Sequence, residues 1–304
     1  MPRLLILSRD AEDYRKILAS ADLPDLIIEN SPSKDCEIIF GAPSMVPGVL
    51  NDLPNLRWVQ SMWAGVEPLL IPSLRKDYLL TNARGVFGGL MSEYVIGYLL
   101  AHERKVFSRR QAQLSKTWDK TLTGTLRGKT IGLLGVGSIG EEVASAAKFF
   151  GMNVRGFTRS SETSPDVDRY YHHGHLSEFA TGLDYLVSIL PDTNETHKIV
   201  NAEVLKTLPP NAIFINVGRG SSLDESALLD ALNQNRIAGA VLDVFEHEPL
   251  PPDHPFWDAK NLIMTFHTSA PSFPEDIAKI FIENYQLYLA GKPLKYQVDF
   301  EKGY

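Results

Sequence analysis

Short apolar runs alternate with helical-period stretches along the whole chain. In the first third, residues 4–7, 26–28, 37–40, 58–60 and 79–80 are strand-length and apolar, and residues 11–20 carry a helical period. Pro43, Pro47, Gly48 and Pro54 punctuate these runs. Ser92 is placed to cap a long helix from residue 93 to about 104, whose Val95, Ile96, Leu99 and Leu100 make it apolar enough to lie between layers. Further strands are expected at 131–134, 153–157, 184–190, 212–217, 238–244 and 262–265, again with helical stretches between them. Ser222 and Glu225 have the spacing of a capping box for one of those helices. Ser272, Pro274 and Glu275 open a final helix with Ile277, Ile280, Phe281, Asn284, Tyr285 and Tyr288 on one face, ended by Gly291 and Pro293. Strands alternating with helices predict an α/β protein with doubly wound parallel sheets covered on both faces.

The most informative turn follows the run at 131–134. Gly135, Gly137 and Gly140 give G-x-G-x-x-G, and a helix follows at 141–150 with Val143, Ala144, Ala147 and Phe150 on one face and Gly151 as its stop. Strand, glycine turn and helix N-terminus in that order are the setting of a dinucleotide site. The first glycine permits the turn, the second admits a pyrophosphate to the backbone, and the third lets helix and strand pack closely. About 20 residues on, an acid for the ribose 2′-hydroxyl is the mark of NAD. Thr158, Arg159 and Ser160 stand there instead. A guanidinium binds a 2′-phosphate by charge-assisted hydrogen bonds, so NADP(H) is expected ahead of NAD(H), which stays possible. The plainer alternative is that Arg159 is simply a solvated loop residue.

Composition narrows the class. The chain has 304 residues, 44% hydrophobic and 22% charged, which suits a globular protein of about two domains. A net charge of -7 argues against nucleic acid or an anionic membrane as partner. The single cysteine, Cys36, lies beside the run at 38–40 and reads as a small core residue in a reducing compartment. The N-terminus turns polar too soon for a signal peptide, and no run reaches the ~20 apolar residues of a membrane span, so a cytoplasmic protein is expected. Tyr170-Tyr171-His172-His173-Gly174-His175 reads as an exposed loop near the adenosine side; its histidines lack the spacing and partner cysteines of a metal site, and none is expected. The basic cluster Arg104, Lys105, Arg109 and Arg110 reads as a solvated face or an oligomer contact.

Three reactive residues follow the ends of predicted parallel strands: Arg219, Glu248 and His267. Ligands of such sheets lie outside the carboxyl ends of the strands. Reduction of a keto carbon by hydride puts negative charge on the oxygen, which then needs a proton from an acid working near neutral pH. His267 fits that role. A carboxylate beside it fixes the ring, with Glu246 and Glu248 competing for the place, and Arg219 can clamp a substrate carboxylate. The turns at 61–67 and 81–86 also follow strand ends; they are either a second binding wall or ordinary surface loops.

These pieces together resemble the D-isomer-specific 2-hydroxyacid dehydrogenases, and within them the glyoxylate/hydroxypyruvate reductases. The matching segments are Gly-Val-Gly-Ser-Ile-Gly at 135–140, Leu-Pro-Asp-Thr at 190–193 with Thr196, Asn-Val-Gly-Arg-Gly at 216–220 and Asp-Val-Phe-Glu-His-Glu-Pro at 243–249. The resemblance implies a Rossmann cofactor domain (101–274) inserted in a flavodoxin-like substrate domain (1–100 plus 275–304), joined back by the last helix. It implies His267 as acid, Glu248 rather than Glu246 as its partner, and Arg219 as clamp. It implies cofactor contacts from Gly135, Val136, Gly137, Ser138, Ile139, Gly140, Thr158, Arg159, Ser160, Leu190, Pro191, Thr196, Val217, Gly218 and Asp243, the last at the nicotinamide amide. Trp63, Ala64, Gly65 and Arg84, with Arg219, would line the substrate, and a homodimer through the cofactor domain is implied. The expected activity is NADPH-dependent reduction of small 2-keto acids; a bulkier keto acid, or a non-catalytic dinucleotide sensor on the same fold, are the alternatives. One departure stands out: the family commonly has Thr-Pro-His where this chain has Thr265-Phe266-His267.

Overall fold

The computed structural model describes residues 1–303. Packing divides them into two units, Met1–Val86 joined by the segment from Ser272 onward, and Phe87–Pro271.

The first unit holds β1 (Arg3–Leu7), α1 (Ala11–Ala19), β2 (Ile27–Glu29), β3 (Ile38–Gly41), β4 (Trp58–Ser61) and β5 (Leu79–Thr81). All pair in parallel in the order β2-β1-β3-β4-β5, the flavodoxin-like winding. The central strands β3 and β4 are buried at every position, as parallel strands covered on both faces are; β3 is apolar throughout, while β4 ends in the buried Gln60 and Ser61. The last helix, numbered α8 below (Pro274–Leu289), closes this core. Phe281 stacks on Trp58 (5.2 Å, 3°) and on Phe40 (4.7 Å, 20°). The fully buried Asn284 donates to Gln60 Oε1 at 2.9 Å and accepts the Lys295 N–H at 2.7 Å.

The second unit contains α2 (Gly88–Glu103), α3 (Val106–Leu114), β6 (Thr130–Leu134), α4 (Ser138–Phe149), β7 (Asn153–Phe157), β8 (Arg169–Tyr171), α5 (Leu176–Ala180), β9 (Tyr185–Ser188), α6 (Ala202–Thr207), β10 (Ile213–Asn216), α7 (Glu225–Asn233), β11 (Gly239–Leu242) and β12 (Leu262–Met264). Its seven strands are parallel in the order β12-β11-β10-β9-β6-β7-β8. The winding reverses between β6 and β9, the Rossmann switch point, and the glycine turn leaves β6 there.

Several elements differ from the sequence reading. Helix α2 begins at Gly88, and Ser92 lies inside it, donating to the Gly88 carbonyl at 2.8 Å. Its start is set by contact with α4: a Cβ on Gly88 would stand 2.4 Å from Glu142 Cγ. Met91, Val95, Ile96 and Leu99 accordingly join the core of the second unit, so the packing boundary falls before this helix rather than at 100/101. Helix α7 is capped by Asp224, which accepts the Ala227 N–H, while Ser222 sits in a 3-10 turn at Gly220–Ser222. Residues 169–171 form an edge strand rather than a loop. No helix among the described residues is long and apolar enough to cross a membrane.

Candidate active site

The carboxyl ends of β6, β9, β10 and β11 and the segment after β12 together form one edge of the second unit. Gly135 has φ +96°, a value that favours glycine, and its N–H reaches the Phe157 carbonyl at 3.0 Å. A Cβ on Gly140 would lie 2.4 Å from the Gly135 carbonyl oxygen, so the first turn of α4 packs directly on the strand end. A Cβ on Gly137 would meet no protein atom within 4 Å. Gly137 is the N-cap of α4, and the N–H groups of Ser138, Ile139 and Gly140 that follow have no acceptor within the helix. Val136 is buried beneath the turn. This fits a pyrophosphate at a helix N-terminus.

Neighbouring turns complete that edge. Thr196 Oγ1 donates to the Pro191 carbonyl at 2.6 Å and closes the turn after Leu190. Ser221 Oγ donates to Asp192 at 2.7 Å, tying this turn to the one after β10. A Cβ on Gly218 would stand 2.6 Å from the Leu190 backbone, and Val217 is buried beside it. At the end of β7, the Thr158 N–H bonds the Tyr171 carbonyl and its hydroxyl bonds the Ser161 carbonyl, which shapes the loop carrying Arg159 and Ser160. Arg159 is exposed and pairs with Glu195 at 3.3 Å, a neighbour the sequence reading did not single out. His172 bonds Glu162 at 2.7 Å, and that hydrogen bond, helped by one to the Thr158 carbonyl, raises its pKa. Among the described residues no group of three or more His, Cys, Asp or Glu side chains is placed to hold a metal.

Three chemically active side chains meet on the same edge. His267 Nδ1 donates to Glu248 Oε2 at 2.8 Å, and Glu248 Oε1 accepts the Phe245 N–H at 2.9 Å. Glu246 is turned elsewhere: its carboxylate pairs with Lys198 at 3.5 Å. The hydrogen bond that His267 donates to Glu248 raises the His267 pKa above its ordinary value; partial burial and the Arg219 charge oppose this, while the charges of Glu248 and Asp243 reinforce it. Burial pushes Glu248 up, but the bonds from His267 and the Phe245 N–H outweigh it and leave its pKa lowered. Arg219 follows β10, half-buried. Its carbonyl accepts from Asn216 (3.1 Å) and Ser222 (2.8 Å), and its guanidinium donates to the Gly218 carbonyl at 2.8 Å. Gly220 lets this turn reach the Glu248 loop, because a Cβ there would overlap the Phe245 carbonyl at 1.9 Å. The result is a cation and a protonatable imidazole with its carboxylate, on the sheet edge that carries the glycine turn.

The segment bearing His267 is unusual. Phe266 and His267 both have positive φ, +56° and +58°. Proline cannot adopt such a φ, so Phe at 266 accompanies a different backbone path. The Phe266 ring stacks between Trp257 (5.5 Å, 26°) and Phe245 (6.4 Å, 26°). Asp243 is fully buried. It accepts from Thr265 Oγ1 (2.6 Å), the Thr268 N–H (2.9 Å) and the Ser269 N–H (3.1 Å).

In the first unit, the turns after β4 and β5 are tied to each other. The Ala83 N–H bonds the Trp63 carbonyl (3.1 Å), and Asn82 Nδ2 donates to the Ala64 carbonyl (2.8 Å). Trp63 is 43% exposed, Ala64 and Gly65 are half-buried, and Arg84 is exposed in the second turn. These four residues thus share one edge of their own sheet.

The fold and the site edge are those of a dinucleotide-dependent oxidoreductase acting at a carbon–oxygen centre. The model of the D-isomer specific 2-hydroxyacid dehydrogenase NAD-binding domain matches residues 96–269, and the chain belongs to this family. It is therefore an oxidoreductase, with a nicotinamide dinucleotide as cofactor. A curated relative, glyoxylate/hydroxypyruvate reductase A of Klebsiella pneumoniae, is 32% identical over 82% of this chain and 82% of its own. A D-isomer-specific 2-hydroxyacid dehydrogenase family protein from Aeromonas salmonicida is 41% identical, with a TM-score of 0.94 over 98% of this chain and 99% of its own. An NADPH-dependent glyoxylate/hydroxypyruvate reductase from Sinorhizobium meliloti, solved with NADP and sulfate, is 28% identical, with a TM-score of 0.90 over the whole of both chains.

Proposed function

We propose that this protein reduces small 2-keto acids, glyoxylate or hydroxypyruvate first, to D-2-hydroxy acids with NADPH. The observation that carries the reading is the 2.8 Å His267–Glu248 pair beside Arg219 on the edge of the glycine turn. A bound dinucleotide supplies the hydride. The turn at 135–140 and the N-terminus of α4 hold its pyrophosphate, the turns at 190–196 and 217–218 flank it, and Thr158, Arg159 and Ser160 take the adenosine ribose and its 2′-phosphate. Arg219 holds the substrate carboxylate and draws charge from the keto oxygen. His267 gives that oxygen its proton, and Glu248 keeps the ring oriented and stabilises its charged form. The family resemblance adds Trp63, Ala64, Gly65 and Arg84 as substrate residues, and Asp243 as the residue that would meet the nicotinamide amide. The names of the Klebsiella and Sinorhizobium relatives support the small-acid substrate, and the Sinorhizobium complex supports NADP.

The deciding measurement is kcat/KM with NADPH and with NADH against glyoxylate, hydroxypyruvate, pyruvate and phenylpyruvate. NADPH with the small acids is the expected pairing. Turnover with phenylpyruvate alone would shift the substrate to a bulky acid, and tight NADPH binding without turnover would make the protein a sensor. Arg159→Ala is expected to raise the NADPH KM by about tenfold or more, the worth of one charge-assisted contact, with little change for NADH. Equal changes for both cofactors would remove Arg159 from the 2′-phosphate.

The same reading includes a homodimer. Helix α3 and the segment after it leave Phe107, Leu114, Trp118 and Leu122 more than half exposed, and α3 buries no residue of its own. Apolar side chains so placed suit a contact between copies. Light scattering after gel filtration should give twice the monomer mass, and Trp118→Glu with Leu122→Glu should give the monomer mass.

A further inference from the structure

The left-handed pair at Phe266 and His267 needs something to hold it, because positive φ brings the Cβ of a non-glycine residue too close to its own backbone. The holding group is a chain of hydrogen bonds that begins on another element. Tyr94, on α2, lies 2.6 Å from Thr265 Oγ1, and Thr265 Oγ1 is itself 2.6 Å from Asp243 Oδ1. A carboxylate only accepts, so Thr265 donates to Asp243 and Tyr94 donates to Thr265. The rest of Asp243 is committed to the same turn. Its carboxylate takes the Thr268 and Ser269 N–H groups, and its carbonyl takes the His267 N–H at 2.5 Å. Thr268 Oγ1 closes the turn on the Thr265 carbonyl at 2.5 Å. Asp243 is fully buried, and Tyr94 is half-buried against Tyr98, with ring centroids 4.7 Å apart. Burial pushes the Tyr94 pKa up, so the hydroxyl keeps its proton and remains a donor.

We propose that Tyr94, acting through Thr265 and Asp243, is a positioning residue for proton transfer: it fixes the 265–269 turn so that the His267 ring keeps Nδ1 on Glu248 and presents Nε2 as the acid. This deepens the reading of His267 as the general acid and rests on it. It also gives Asp243 a task inside the protein besides any contact with the cofactor. The groups that set the charge of His267 are Glu248, Arg219 and Asp243. Of these, Glu248 depends most on ring placement, because its effect is a direct hydrogen bond to Nδ1, which weakens as the ring turns away from alignment.

The test is Tyr94→Phe, which removes the hydroxyl and keeps the ring. With NADPH and the best keto acid, kcat should fall about tenfold through misplacement of the acid, while substrate KM and the NADPH Kd stay within about twofold. The pH at which the rate declines should move down toward the ordinary histidine value. Thr265→Val should act in the same way, and Thr265→Ser should restore both readouts. An independent readout is the His267 imidazole titration, followed by NMR with histidine-nitrogen labelling and assigned with His267→Asn. Its midpoint should drop in Tyr94→Phe and in Thr265→Val and stay at the wild-type value in Thr265→Ser. An unchanged titration would overturn the proposal, as would a loss of kcat accompanied only by a lower Tm. Absence of keto acid turnover in the wild type would instead overturn the assigned reaction, while the titration would still decide whether Tyr94 governs the ring.

Discussion

Replacing His267 with Asn is expected to lower kcat for keto acid reduction by about a thousandfold, the span of general acid catalysis, with NADPH affinity unchanged. Asn can occupy a similar volume but cannot deliver a proton at neutral pH. In the proposed role the ring acts where charge develops on the oxygen, so the loss should fall on kcat. The pH dependence gives a second signature. Reduction needs the protonated ring, so the rate is full at low pH and is lost as pH rises through the His267 pKa. Glu248 raises that pKa above the ordinary 6.5, so the decline should lie on the alkaline side of that value. Glu248→Gln should move it back toward 6.5 and lower kcat, because a neutral amide supports the imidazolium less well than a carboxylate. Rates measured from pH 5 to 10 on wild type, Glu248→Gln and His267→Asn check all three points. A wild-type activity of His267→Asn would remove the residue from the chemistry.

The strands of this protein were legible because they are buried on both faces. Central parallel strands under two helical layers carry mostly apolar side chains, and β3, β9, β10 and β11 are buried at every position, with Ser188 and Asn216 as polar ends of β9 and β10. β8 was missed for the complementary reason: it is a short edge strand opened by an exposed Arg169, whose apolar signal is two tyrosines. Helix starts were less legible where packing chose them. Gly88, the first residue of α2, lies against Glu142 of α4, and no capping rule points to it. The glycine turn and the Arg219, Glu248 and His267 positions could be read from strand ends, since parallel winding places all such ends on one edge. The choice between Glu246 and Glu248 could not be made from the residues alone, because both lie in one loop and only its folded path turns Glu248 to the ring. Tyr94 had no sequence signal at all. It meets Thr265 across 171 positions of chain, and nothing in its helix pattern separates it from an ordinary packing tyrosine.

Arg219 offers the other large effect, and its pH signature has the opposite sign to that of Glu248. Arg219→Met removes both the bidentate clamp and the charge, so kcat/KM for the keto acid should fall by about 10³-fold, the scale measured when a preorganised donor to a developing oxyanion is lost. In the proposed role the guanidinium also holds the ground-state carboxylate, so part of that loss should appear in KM. The positive charge of Arg219 lowers the His267 pKa, so its removal should move the decline in rate to higher pH. Arg219→Lys separates the two contributions. An ammonium keeps the charge but not the planar fork, so the pH profile should stay near that of the wild type while kcat/KM remains about a hundredfold low. Gly218 and Gly220 flank the residue and are pressed against Leu190 and Phe245, so the backbone that carries the guanidinium has little room to adjust. A shorter or differently shaped cation at 219 therefore cannot recover the geometry by moving the chain. Recovery of full activity in Arg219→Lys would show that charge alone suffices at this position, and an unshifted pH profile in Arg219→Met would show that the guanidinium and the imidazole do not share one electrostatic site.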